Sequence, residues 1–101
     1  MEKNVTTAEE FAAAVAKGDV LVDFWAPWCG PCVAMGRQIE GSLMPAMPEL
    51  TVVKVNIDEA PAIAADFGVV SIPSLFCFKN GEKRAAFVGV TPCERIRAAF
   101  A

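Results

Sequence analysis

The stretch Val20-Leu21-Val22-Asp23-Phe24-Trp25-Ala26-Pro27-Trp28-Cys29-Gly30-Pro31-Cys32 decides how this chain folds. Residues 20–25 are too few for a buried helix and rich in β-formers, so they predict a fully buried central strand. Pro31 lacks an N–H and has its φ preset near the helical value, which suits the first position of a helix. Met35, Ile39 and Leu43 then recur at i, i+4, i+8 and describe one apolar face of a long helix, with Gly36 and Gly41 as weak points and Pro45 and Pro48 as its end. Cys29 therefore falls just outside a helix N-terminus, facing its free N–H groups. An anionic sulfur there is favoured by about 0.3–1 kcal/mol, and by ~2 kcal/mol at most. That lowers a thiol pKa from about 8.5 by roughly 0.5 to 1.5.

Working outward, Thr7-Ala8-Glu9-Glu10 is a capping-box pattern, followed by Phe11 and Val15 at i, i+4, and it predicts a first helix ending near Gly18. Thr51 to Ile57 reads as a second buried strand, and Pro61 to Phe67 as a short helix closed by Gly68. Ser74 to Phe78 reads as a third strand. Asn80-Gly81 is a strong hairpin signal leading into a fourth, at about Lys83 to Val88. Thr91-Pro92-Cys93-Glu94 predicts a last helix with Thr91 as cap and Pro92 at its first position. Val5 and its neighbours fit one further edge strand. Strands that alternate with helices and finish as a hairpin and a helix imply an α/β chain with a single mixed sheet of four to five strands, flanked by four helices.

The chain has 101 residues, 54% hydrophobic and 21% charged, which is one globular domain with no room for a second core. A net charge of −3 with nine scattered basic residues argues against a nucleic-acid partner. The polar start, Met1-Glu2-Lys3-Asn4, and the short apolar run from Phe11 to Ala16 fit neither a signal peptide nor a membrane span, so a cytoplasmic protein is expected. Four cysteines in that compartment are expected reduced, and a C-x-x-C pair there points to catalysis or metal binding rather than a staple. Disulfide exchange needs an accessible thiolate, a second thiol to resolve the mixed disulfide, and a proton route for that second sulfur. Cys29, at the helix end, fits the attacking role and Cys32, one turn in, the resolving one. The alternative for the pair is half a zinc site. Against it, Cys77 and Cys93 stand 16 residues apart, histidine is absent and there is no second C-x-x-C. Asp23 is the anomaly, a carboxylate inside an apolar strand. It is either a functional proton carrier, or a solvent-facing residue, or simply a partner of Lys54 on the next strand. Cys77, between Phe76 and Phe78, is expected buried and inert, and Cys93, in the first turn of the last helix, exposed and modifiable.

The segment Val22 to Cys32 resembles the active-site segment of the thioredoxins. Lys54-Val55-Asn56-Ile57-Asp58, Ile72-Pro73-Ser74, Phe78-Lys79-Asn80-Gly81-Glu82 and Val88-Gly89 follow in that family's order, so that residues 1–101 resemble one thioredoxin domain. The resemblance implies the thioredoxin fold and a general protein-disulfide reductase, with Cys29 as nucleophile, Cys32 resolving, Asp23 transferring a proton and Lys54 tuning Asp23. It implies that Pro73, after Ile72, is the family's cis-proline. It also implies an active-site turn of Trp28, Gly30 and Pro31 within an apolar platform that adds Trp25, Ile72, Pro73, Gly89 and Val90. The implied partners are a flavoprotein thioredoxin reductase and disulfide-containing client proteins. NADPH and FAD would sit only on the reductase, so the chain itself would be a monomer without cofactor or metal. Val33 and Val70 stand where members often carry charge, and Arg37 beside Gly36 replaces the usual mid-helix proline. An oxidising or isomerising relative would be expected to place a cation between the cysteines, where Gly30-Pro31 offers none. A scaffold role would need neither the cysteines nor Asp23.

Overall fold

The computed structural model describes residues 1–101. Five strands, β1 (Glu2–Asn4), β2 (Asp19–Trp25), β3 (Thr51–Asn56), β4 (Ser74–Lys79) and β5 (Glu82–Val88), form one sheet in the order β1-β3-β2-β4-β5. β3 is parallel to both β1 and β2, whereas β4 runs antiparallel to β2 and β5, giving the expected mixed sheet. β2 lies at its centre, and Val20 to Phe24 are completely or almost completely shielded from solvent.

Alternation along β2 sorts the core into two layers. Val20, Val22 and Phe24 join Val53, Val55, Phe76 and Phe78 under α1 (Ala8–Val15) and α4 (Pro61–Asp66), supplied by Phe11, Val15 and Ile63. Leu21 points the other way, with Val52, Leu75 and Cys77, under α2 (Gly30–Gln38) and α5 (Cys93–Ala98). Phe67, the C-cap of α4, packs at 5.0–6.2 Å against Phe11, Phe24, Phe76 and Phe78. Nothing in the local pattern announces this aromatic cluster, because its members come from four elements.

Thr7 caps α1 as expected: its Oγ1 accepts from the Glu10 N–H at 3.1 Å, and Glu10 Oε1 accepts from the Thr7 N–H at 3.1 Å. The Thr6 N–H also donates to Glu10 Oε1, at 3.1 Å, and the donors from Thr6 first and then Thr7 hold the Glu10 carboxyl below its ordinary range. Asn80 and Gly81 both adopt positive φ, 52° and 84°, as a two-residue turn compatible with strand twist requires. The Asn80 side chain also accepts from the Gly18 N–H at 2.9 Å, tying the hairpin to the end of the first helix.

Three local expectations are corrected. Pro31 occupies the second helical position, because the helix begins at Gly30. The long helix does not end at Pro45. Its backbone stays helical through a π turn at Ile39–Leu43 and a short α3 (Met44–Ala46), with the Met44 N–H bonding back five residues to the Ile39 carbonyl. The wider turn lets Pro45 sit in the first turn of a new segment, where its missing N–H costs little, and the helix ends at Met47, immediately before Pro48. Thr91 does not cap the last helix. That helix starts at Cys93 behind Pro92, and the buried Thr91 hydroxyl donates instead to the Gly89 carbonyl at 3.0 Å.

Candidate active site

β2 delivers its C-terminal end directly into the C-x-x-C turn. Ala26, Cys29 and Cys32 form a small buried cluster with Trp25, Ile57 and Ile72 packed against it. Cys29 is the N-cap of α2, with extended backbone (φ −94°, ψ 105°), and its Sγ accepts from the Cys32 N–H at 3.2 Å. The helix therefore points a donor at this sulfur, as the sequence suggested. Cys29 and Cys32 are joined in a disulfide, with Cα atoms 5.2 Å apart. Both are more enclosed than a free helix end would leave them, but unequally: Cys29 is 7% exposed and Cys32 2%.

A second segment closes on the pair from above. The Ile72–Pro73 peptide bond is cis, and the Ile72 carbonyl oxygen lies 3.9 Å from Cys29 Sγ. The Pro73 carbonyl accepts from the Gly89 N–H at 2.8 Å, which brings the β5 exit and Val90 to the same rim. Trp28, Gly30, Pro31 and Val90 are exposed around Cys29, whereas Pro73 is buried beneath them and Trp25, Ile72 and Gly89 are half-buried. Sequence reasoning missed what fixes Trp28: its Nε1 donates to Asp58 Oδ2 at 2.8 Å, and the Asp58 N–H is held by Asn56 Oδ1 at 2.9 Å. The Asn-x-Asp spacing of an Asx turn was the available signal.

Asp23 lies on the α2-facing side of β2, between Leu21 and Trp25 along the strand, and is 1% exposed. The solvent-facing alternative is excluded. Burial pushes its carboxyl up to about 6 from 3.8; the Lys54 charge pulls the other way and Glu2 adds to the rise. Lys54 is the register partner of Asp23 on β3, but it forms no ion pair with it. Its Nζ stands 4.2 Å from the centroid of the Trp25 ring. Asp23 Oδ1 and Trp25 Nε1 are both buried without a hydrogen-bond partner, which is uncommon for interior polar atoms. Trp25 and Lys54 also line a cavity of about 170 Å³ with Cys32, Gly36, Arg37 and Glu40. The arrangement combines a sulfur capped by a helix, a second sulfur one turn in, and a carboxyl able to exchange a proton near neutral pH.

Cys77 is fully buried in the sheet, where desolvation pushes its thiol up to about 11. Cys93 departs from expectation: it is half-buried against the α2 face of the core and its Sγ donates to the Gln38 carbonyl at 3.6 Å. Burial raises its thiol above the ordinary value as well. The largest groove, about 590 Å³, lies between the chain after α3 and α5, bordered by Asp19 at the opposite end of β2 from the cysteines.

The thioredoxin family model matches residues 2–101. The chain is 41% identical over 97 residues to a thioredoxin of Alicyclobacillus acidocaldarius, covering 94% of this chain and 91% of that one. It is 37% identical over 95 residues to a probable thioredoxin-2 of Caenorhabditis elegans, covering 92% of this chain but spanning only 66% of that longer protein. The oxidised mitochondrial thioredoxin 3 of Saccharomyces cerevisiae superposes with a TM-score of 0.87 at 27% identity, over 97% of this chain and 92% of that one. The family match leaves out only Met1, and the likeness in fold extends over nearly the whole of both chains; the chain belongs to the thioredoxin family, whose members are thiol-disulfide oxidoreductases.

Proposed function

We propose that this chain is a general protein-disulfide reductase, working as a cytoplasmic monomer and reloaded by a flavoprotein thioredoxin reductase that carries the NADPH and FAD chemistry. The observation that supports this most is the position of Cys29, a helix cap whose sulfur receives a backbone donor at the centre of an apolar rim. In the reduced protein the Cys29 thiolate attacks one sulfur of a client disulfide. A Cys29–client bond forms, the client bond breaks, and one client thiolate leaves. Cys32 then loses its proton to Asp23 and attacks Cys29 Sγ, which expels the second client thiolate and leaves the Cys29–Cys32 disulfide. Two electrons pass to the client, and the reductase restores the dithiol. Lys54, by opposing the rise of the Asp23 pKa, keeps that carboxyl able to release as well as to accept. Trp25, Trp28, Gly30, Pro31, Ile72, Pro73, Gly89 and Val90 serve as the docking platform for the client backbone and its neighbouring side chains.

The test is an NADPH-coupled assay with a thioredoxin reductase and a disulfide-bonded protein. Cys29→Ser should abolish turnover, whereas Cys32→Ser should form a mixed disulfide and stall there, visible as a mass adduct. Trapping by Cys29→Ser and not by Cys32→Ser would reverse the two roles. Equilibration with glutathione should place the pair on the reducing side, and an oxidising poise would rule the reductase assignment out.

A further inference from the structure

Lys54 stands between two partners, Asp23 and Trp25. These two lie two residues apart on β2, so both side chains leave the sheet on the α2 side. Lys54 is the register partner of Asp23 on β3, from where an ammonium could close an ion pair across the two strands. It does not close one. Lys54 Nζ lies over the Trp25 ring, 4.2 Å from its centroid, and no oxygen of Asp23 comes within ion-pair distance of it. Asp23 Oδ1 is buried without a partner although a cation stands on the neighbouring strand. The indole face attracts an ammonium and leaves Lys54 half-buried, in touch with water, whereas closing on Asp23 would take both charges out of water. The remaining polar groups around Asp23 do not replace the missing pair. Glu2, on β1, adds to the rise of its proton affinity, and β4 sets the apolar Leu75 opposite it. On the α2 side are Cys32, Arg37 and Glu40, which line one cavity with Trp25 and Lys54.

We infer that Trp25 is a positioning residue for proton transfer: its ring holds the Lys54 ammonium off Asp23, so that the carboxyl stays unpaired and free to take the proton of Cys32. The inference rests on the reductase reading above, in which Asp23 is that acceptor. An ion pair with Lys54 would fix Asp23 as a carboxylate, its lone pairs engaged by the ammonium, and make it too weak a base for a thiol near neutral pH. Held on the indole, Lys54 is near enough to pull on the carboxyl and too far to occupy it. Trp25 thereby acts on the second cysteine's proton, a role apart from the apolar platform around the first.

The experiment follows the Asp23 carboxyl carbon by NMR through a pH titration of the oxidised protein, in which Cys29 and Cys32 do not titrate. The parent, Trp25→Leu, Lys54→Met and the Trp25→Leu/Lys54→Met double variant form a cycle. Trp25→Leu should lower the Asp23 midpoint by about 1 pH unit, the low end for a carboxyl that gains an adjacent cation. Lys54→Met should raise it. With Lys54 absent, Trp25→Leu should move the midpoint little, because the ring then has no cation to hold. Trp25→Phe, which keeps an aromatic face of weaker pull, should lower the midpoint by less than Trp25→Leu. Trp25→Phe/Lys54→Met carries the same comparison if the leucine variant does not fold. An unmoved or raised midpoint in the Trp25 variants would overturn the inference. An equal fall with and without Lys54 would overturn it as well, since the ring would then act only by excluding water. Single-turnover release of the second client thiol supplies a kinetic arm, and its pH midpoint should fall together with that of Asp23 in Trp25→Leu. Titrations that shift as stated, with release keeping the parent's pH dependence, would refute Asp23 as the proton acceptor of the reductase reading and still establish the hold of Trp25 on Lys54.

Discussion

At the scale of the residue, Asp23 ties a rate to a stability. Its folded pKa of about 6 lies above the ordinary 3.8, so the folded protein holds this proton more tightly than the unfolded chain. Below about 4 both states are protonated and the group is neutral in its effect. Stability then falls as pH rises through about 6, and above that the ionised, buried carboxylate costs about 3 kcal/mol, at about 1.4 kcal/mol per pH unit. Asp23→Ala should therefore raise the urea midpoint at pH 8, lose most of that gain by pH 4, and slow the step that deprotonates Cys32. A midpoint difference that is the same at every pH would show that the carboxylate carries no such penalty. The cysteines outside the pair make a second prediction, because burial raises both thiols and encloses them to different degrees. Alkylation of the oxidised native protein should label Cys93 slowly and Cys77 only on unfolding, and mass mapping of equal labelling would refute the contrast. Asp23 was legible in the sequence because a charge interrupts an apolar strand. The Asp58 bond to Trp28 was not, since it depends on segments 30 residues apart closing on one another, and the Ile72–Pro73 loop beside Cys29 was expected from the family resemblance alone.

At the scale of the element, α2 is where local pattern and tertiary packing part company. Its apolar spacing correctly placed Met35, Ile39 and Leu43 in the core, all 0–1% exposed. The same pattern carried no sign of the π turn, because Ile39 and Leu43 keep the four-residue spacing of an α-helix and only the backbone bond from the Met44 N–H to the Ile39 carbonyl marks the wider turn. The failed Thr91 cap has a similar cause. Thr91 is drawn into the interior, where its N–H donates to Met35 Sδ at 3.3 Å and links the cysteine-bearing helix to the chain that leaves β5. Met35→Leu keeps the volume and removes the acceptor. A buried unpaired N–H costs ~1–3 kcal/mol, discounted here because a thioether is a weak acceptor, so a loss of about 1–2 kcal/mol is expected. Met44→Leu, a half-buried position on the same helical run, supplies the control for the side-chain swap alone. Equal urea midpoints for the two variants would mean that the sulfur contact contributes nothing.

At the scale of the whole molecule, the alternation of strands with helices along the chain was enough to foresee a sheet covered on both faces, but the order β1-β3-β2-β4-β5 was not contained in any one segment. It follows from which faces must be buried together: β2 needs a neighbour on each side because residues 20–24 are apolar or enclosed on both faces, whereas β5 alternates between exposed and half-buried and belongs at an edge. That order predicts how the protein opens. β1 is three exposed residues long, and β5 has β4 on one side and solvent on the other, so each can detach while the two core layers against β2 remain packed. Opening β2 itself would expose both layers at once and is equivalent to global unfolding. Native-state hydrogen exchange with increasing urea should therefore find the amides of β2, β3 and β4 exchanging with the full denaturant dependence of global unfolding. The β1 and β5 amides should exchange faster, with a smaller dependence that merges with the first set only near the unfolding midpoint. Peptides from β5 protected to the same degree as those from β2, at every urea concentration, would mean that the sheet opens as one unit and that its edges share the stability of its centre.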